Sequence, residues 1–348
     1  MLRYGIPNYR LPKNCLDEDI QAILSLKNIE VKCKLTVGVD ISLEDIYNRY
    51  DAVYIAIGAQ AGKKLDLAGV ESANVFSAVD ILREVGRGNQ PDFTGKKVVV
   101  IGGGNVAMDA ARAAIRCKAK DVSIVYRRRK EDMPALSSEI EGAIAEGVEL
   151  LTLQAPCRIE ADEKGNCTAL WTKPQMIGMY HNGRPSPVDA GEELVRIPCD
   201  VILFAIGEDV VSKPFEDFGL KTNGKCFDTT ETCAVKGKKG VFAGGDCVTG
   251  PATVIAAIAA GYTAAHSIDK YLGYNHRLTS DVLIPIAKVT NRVPMGRLSI
   301  REREARMRKN DFEPVEKSIS YEEAMQEASR CLRCDCFGYG TLAKEKIV

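Results

Sequence analysis

Lys96-Lys-Val-Val-Val-Ile101 runs into Gly102-Gly-Gly104 and then into Asn105-Val-Ala-Met-Asp-Ala-Ala-Arg112. The apolar, β-branched run predicts a buried strand over residues 96–101. Val106, Ala110 and Ala114 fall on one side of a helix expected over 105–116. The glycines between them fit the pattern G-x-G-x-x-A. Gly102 permits a tight turn, Gly104 lets the backbone approach a pyrophosphate, and Ala107 lets the helix pack close to the sheet. The helix amino terminus attracts the anion. Alone, three glycines are only a turn. Between a strand and a helix they assign Gly102, Gly104, Asn105 and Val106 to a dinucleotide.

The next strand, expected over 121–126, ends in Tyr126-Arg-Arg-Arg-Lys130. Folds that prefer NAD place an acidic residue about 20 positions after the first glycine to bond the ribose hydroxyls. Here no carboxylate stands at the strand tip. Guanidinium forks bind phosphate through paired hydrogen bonds, so Arg127 and Arg128 point to the 2′-phosphate of NADP(H). The competing reading is a solvated basic turn.

Working outward, helical spacing covers 16–26 and 77–85, and residues 29–35 read as a strand. The apolar runs 51–59 and 200–207 each close on a glycine, the pattern of a buried parallel strand. Pro134 stands near the start of a further helix and Gly147 at its stop, ahead of a strand over 148–153. Residues 157–199 read as antiparallel strands, with turns at Lys164-Gly165-Asn166 and Asn182-Gly183. A glycine-rich strand end covers 240–246, and an apolar helix covers 253–269. Strands alternating with helices predict an α/β fold with layers over a mostly parallel sheet.

The chain has 348 residues, enough for two domains of roughly 100–200 residues each. Its 47 basic and 47 acidic residues balance, so no general attraction to nucleic acid or anionic lipid is expected. The longest apolar stretch, 254–265, is shorter than the roughly 20 residues a bilayer requires, so no membrane insertion is expected. The 12 cysteines are dispersed in strand-like settings, and no signal-peptide core precedes them. Free thiols in a reducing cytoplasm are therefore expected. No C-x-x-C or C-x4-C pair stands ahead of the nucleotide loop, which argues against disulfide-reductase chemistry.

Taken together, Gly102-Gly-Gly-Asn-Val-Ala-Met-Asp-Ala-Ala111, Tyr126-Arg-Arg128 and Met133-Pro-Ala135 with Glu139 resemble the small subunit of NADPH-dependent glutamate synthase. The same module is similar to parts of electron-bifurcating transhydrogenases and hydrogenases and of dihydropyrimidine dehydrogenase. The likeness extends to Leu2-Arg-Tyr-Gly-Ile-Pro7, Tyr54-Ile-Ala-Ile-Gly-Ala59, Asp200-Val-Ile-Leu-Phe-Ala-Ile-Gly207 and Gly244-Gly-Asp-Cys247, and spans about residues 1–285. It implies two Rossmann-like, three-layer dinucleotide-binding domains. The NADP(H) domain (95–237) is then inserted in an FAD domain (1–94 and 238–285), and a charged tail (286–348) follows.

The resemblance further implies that Asp246 reaches the ribityl chain of FAD, and that the helix start at Thr253 and Val254 faces the flavin pyrimidine edge. The residues agree with this. Gly245 and its neighbour allow close backbone approach, and a helix amino terminus stabilises charge on a reduced flavin. Gly58 and Gly207 close the two apolar runs at the same end. One departure is Gly207-Glu208-Asp209, where relatives carry a Gln and a Pro-Asn pair. Another is that relatives place an FAD pyrophosphate loop and an iron–sulfur domain ahead of the segment matching residues 1–12. The resemblance implies that a missing amino-terminal lobe or a partner chain supplies these parts.

Cys331-Leu-Arg-Cys334-Asp-Cys336 closes the chain after an amphipathic stretch. Such crowding of thiolates suits iron–sulfur, as in a 4Fe–4S cluster, or zinc, with a fourth ligand from elsewhere. The alternative is a cysteine-rich remnant that binds no metal. The basic run 301–309 is interleaved with Glu302 and Glu304 and reads as a solvated helix face. The expected activity is hydride transfer between NADP(H) and FAD, with electrons exchanged with iron–sulfur centres of other redox subunits. No side chain is assigned as catalytic acid or base. A non-catalytic docking subunit is the other reading.

Overall fold

The computed structural model describes residues 1–181, 183–276 and 296–330. Helix α1 (Lys13–Leu24) buries none of its side chains, and helix α2 (Leu43–Arg49) is capped by the Ser42 hydroxyl, which accepts the Asp45 N–H. Residues 29–35, expected as a strand, form none and are exposed throughout. Their alternating pattern finds no partner strand among the described residues, and a strand without a ladder is not stable in water.

Strands β1 (Val53–Ile55), β2 (Ala61–Gly62) and β3 (Val75–Ser77) precede helix α3 (Ala78–Gly86). Strand β4 (Lys97–Ile101), helix α4 (Asn105–Arg116), strand β5 (Asp121–Tyr126), helix α5 (Ser137–Ala145) and strand β6 (Glu149–Thr152) then alternate as expected. Four antiparallel strands follow: β7 (Gln154–Ala161), β8 (Cys167–His181), β9 (Arg184–Asp189) and β10 (Val195–Pro198). Strand β11 (Val201–Phe204) returns to the parallel sheet, whose order is β3-β11-β4-β5-β6.

Alternation along these strands sorts side chains to two faces. Val98, Val100, Val122, Ile124, Val201 and Leu203 join a core with residues of α3, α4 and α5. Val99, Ile101, Val125, Ile202 and Phe204 join another with Ile159, Cys167, Leu170 and Cys199. The result is three layers, with helices on one face and the antiparallel strands on the other. Helix α4 packs through Ala107, Ala110, Ala111, Ala113 and Ala114, each fully buried, so its backbone lies close to its neighbours.

The core of this sheet takes in β3, α3 and Phe93, residues that the sequence boundary at 94/95 assigns to the other domain. Beyond β12 (Glu208–Asp209) the chain forms α6 (Lys213–Glu216), β13 (Thr222–Asn223), β14 (Cys226–Phe227) and β15 (Val241–Ala243). Val210, Phe215, Leu220, Phe227 and Val235 pack with Leu43, Ile55, Val241 and Ala243, so this second core also crosses the boundary read at 237/238. The chain passes between the cores at β2 and β12, which pair antiparallel with Gly62 opposite Glu208.

In the second core β1 and β15 pair in parallel. Helices α7 (Asp246–Thr249) and α8 (Val254–Tyr271) follow. No helix among the described residues is long and apolar enough to cross a membrane.

The chain divides into two units, Met1–His276 with Ala305–Glu313, and Arg277–Glu304 with Pro314–Val348. In the first, helix α9 (Ala305–Arg308) corrects the reading of 301–309 as a solvated face at Arg308, while Arg301, Glu302, Glu304 and Arg306 are exposed. Arg308 is buried, and its Nε donates to Glu146 Oε1 at 2.8 Å. Arg112 and Arg116 hold the same carboxylate at 2.7 and 2.6 Å, and the Tyr9 ring lies against both guanidiniums. A buried carboxylate is tolerated only when paired, and these arginines pair it. In the second unit, helix α10 (Tyr321–Ser329) begins with a capping box between Ser320 and Glu323. Cys331, Cys334 and Cys336 lie outside the described residues.

Candidate functional site

The strand ends create the site. Gly102 has φ +146°, and a Cβ there would stand 2.2 Å from the Ala205 carbonyl oxygen. A Cβ on Gly103 would enter the Tyr126 ring, whereas one on Gly104 would meet nothing within 4 Å. Gly104 is the residue before α4, and no side chain caps that helix. No described residue accepts the N–H groups of Asn105 or Val106. Unpaired donors at a helix start, beside open space, are what an anion needs. The Asn105 side-chain oxygen accepts the Leu136 N–H at 3.0 Å and so fixes the turn after β5.

These residues line a cavity of about 630 Å³ together with Arg127, Arg128, Arg184, Gly207, Glu208 and Ala252. Its basic side is graded. Arg129 forms two hydrogen bonds to Asp132, at 2.9 and 3.0 Å, and these hold the Asp132 carboxyl below its usual range. Arg128 donates through Nε to the Pro185 carbonyl at 2.8 Å, leaving its terminal nitrogens. Arg127 is exposed, and its side chain makes no hydrogen bond to a described residue. No carboxylate lines the cavity beside these arginines. Its single acidic lining residue, Glu208, follows β11 on the opposite side of β4.

The remaining predicted residues gather at the ends of β1 and β15. Gly58 (φ +65°) follows β1 and Gly245 (φ +75°) follows β15. Between them the Gly244 N–H donates to the Ile55 carbonyl at 3.2 Å. Asp246 accepts the Ala252 N–H at 3.1 Å, and the Thr253 hydroxyl accepts the Ala256 N–H at 3.3 Å, capping α8. Val254 opens that helix half exposed. Gly58, Gly245, Asp246, Thr253 and Val254 are not among the residues that line this cavity. Ala252 links the two groups.

Glu208 links them electrostatically. Burial pushes its carboxyl above the usual range, the charge of Asp246 adds to this, and Lys63 opposes it. Sequence reading marked Glu208 only as a departure from relatives. The available signal was an acid set directly after a buried apolar run.

The pyridine nucleotide-disulphide oxidoreductase family matches residues 14–261. The chain belongs to this family. Among relatives, the beta subunit of an NADP(+)-dependent formate dehydrogenase from Moorella thermoacetica is 36% identical, over 99% of this chain and 51% of its own length. A putative NADPH glutamate synthase small chain from Cereibacter sphaeroides is 33% identical over 78% of this chain and 68% of its own. The chain thus spans about half the length of the formate dehydrogenase relative. FprA of Mycobacterium tuberculosis, solved in complex with NADPH, superposes with a TM-score of 0.64 at 20% identity, covering 78% of this chain and 75% of that one. At that identity the likeness is one of fold.

Within this pyridine nucleotide-disulphide oxidoreductase, the closest approach of thiols among the described residues is internal. Cys167 and Cys199 are buried with sulfurs 3.7 Å apart, on the sheet face away from α4. Among the described residues no group of three or more His, Cys, Asp or Glu side chains is placed to hold a metal.

Proposed function

We propose that this chain binds NADP(H) in the cavity behind Gly102–Val106 and exchanges a hydride between it and FAD, passing electrons to or from iron–sulfur centres of partner subunits. One observation carries the reading. The N–H groups of Asn105 and Val106, which no described residue accepts, and the guanidiniums of Arg127 and Arg128 line one cavity, which reaches Glu208 and Ala252 beside Asp246. The first group suits a pyrophosphate and the second a 2′-phosphate. The far end lies toward the residues that fit a ribityl chain.

A bound flavin would supply the hydride chemistry at that junction. This chain's own part is to hold and exclude. Asp246 and Gly245 would take the ribityl chain, with the start of α8 at the ring. Leu65, Ile101 and Ile206 line the cavity and keep its inner wall apolar. We assign the pyrophosphate half of the FAD site to another lobe or a partner chain. Cys331, Cys334 and Cys336 are proposed cluster ligands, and a reducing cytoplasm is the proposed setting. The test is anaerobic addition of NADPH to the assembled complex. Bleaching of the flavin absorbance is expected, and a flavin band that persists would leave a docking subunit as the function.

A further inference from the structure

We infer that Arg184, carried on the β8–β9 hairpin, is a third phosphate-binding guanidinium at the adenosine end of the cavity. The hairpin, and not the β5 turn alone, would then set the preference for a 2′-phosphorylated nucleotide. This rests on the NADP(H) reading above and extends it to a segment far along the chain from the glycine loop.

Three contacts seat the hairpin on the turn after β5. Arg128 Nε donates to the Pro185 carbonyl at 2.8 Å, and Arg184 Nη2 donates to the Asp132 carbonyl at 3.0 Å. Arg129 Nη2 also reaches the Tyr180 hydroxyl at 3.3 Å. Pro185 is buried at this junction. The hydrogen bonds run in both directions between the two segments, so they fix the position of Arg184 relative to Arg127 and Arg128. All three arginines line the nucleotide cavity.

Charge completes the case. Of the four guanidiniums gathered here, Arg129 is neutralised by Asp132. Arg127, Arg128 and Arg184 have no carboxylate partner among the described residues. Three like charges around one rim repel each other and lose that cost when a dianionic phosphate enters. The contact of Arg184 with a carbonyl leaves donors for such an oxygen, since a guanidinium carries five. The chemical class of the ligand is therefore a nucleotide with a phosphate monoester on the ribose 2′ position.

The test is calorimetric titration of the full chain with 2′,5′-ADP and with 5′-AMP. Wild-type protein should bind 2′,5′-ADP at least about tenfold tighter. Equal affinities would refute the NADP(H) reading itself. If the wild type discriminates, Arg184→Ala should lose about tenfold or more for 2′,5′-ADP while 5′-AMP is unchanged. Arg184→Gln keeps a donor for the Asp132 carbonyl, guards against a folding defect, and should show the same selective loss. Retention of 2′,5′-ADP affinity in either variant overturns the inference. So does an equal loss for both nucleotides, which would make Arg184 a brace for the hairpin only.

Discussion

Replacing Glu146 by Gln tests whether the buried ion cluster holds helix α9 onto helices α4 and α5. The Glu146 carboxylate is fully buried and meets Arg112, Arg116 and Arg308, whose side chains are 4%, 0% and 4% exposed. Burial alone would raise its pKa, but the hydrogen bonds from Arg112 and Arg116 win and hold it at about 2, against 4.5 ordinarily. That depression is equivalent to about 3 kcal/mol in favour of the folded, ionised state. Mutational loss of one member of a buried pair costs about 3–5 kcal/mol, because the partner charge is left uncompensated. Glu146→Gln should therefore lose about 3–5 kcal/mol at pH 7, a large part of the roughly 5–15 kcal/mol typical of a folded protein. The pKa is depressed by folding, so the contribution is complete above the unfolded value near 4.5 and fades as pH falls toward 2. Urea unfolding followed by circular dichroism reads both. A loss below about 1 kcal/mol at pH 7, or a gap between the proteins that does not narrow in acid, would refute the account.

Further outcomes follow from the same geometry. Arg128→Ala should weaken NADPH about ten- to a hundredfold and leave NADH nearly unchanged in equilibrium titrations, reflecting one lost charge-assisted contact. Gly102→Ala should lower the melting midpoint, because its Cβ would stand 2.2 Å from the Ala205 carbonyl, whereas Gly104→Ala should fold normally and bind NADPH poorly, its Cβ occupying open space. Asp109 is pushed up to about 6 by burial, with Arg10 opposing. Folding thus favours its protonated form, and stability should fall as pH rises from about 4 to 6. Asp109→Asn should flatten that slope in a pH series of thermal melts.

How much was legible in the sequence depended on how local the cause was. Gly102–Ala107 could be read because a tight turn, a close backbone approach and a close helix each require particular residues within six positions. Arg127 and Arg128 could be read because β5 has to end where they begin. The edge strand β3 could not, since it joins the sheet only by pairing with β11, more than 100 residues later. Arg308 was misread for the same reason. Its run looks like any solvated face until Glu146, 162 residues away, is beside it. Residues 29–35 failed oppositely, having the pattern of a strand but no neighbour to pair with among the described residues. Arg184 lies beyond the usual nucleotide fingerprint, on an antiparallel hairpin whose fold back to β5 has no signature in spacing.

The pairing of β2 with β12 gives the nucleotide module the character of a cassette. With Gly62 beside Glu208, its two ends meet, and the host chain is interrupted at a single seam. Strands β1 and β15 must find each other across the whole insertion, Val53 against Val241. Loop closure over such a span is costly and slow while the intervening chain is unfolded. Once the cassette has folded and brought its ends together, the same two strands are separated only by residues 56–60 on one side of the seam and 210–240 on the other. The larger insert therefore assists the host, since its completion shortens the search that closes the second sheet.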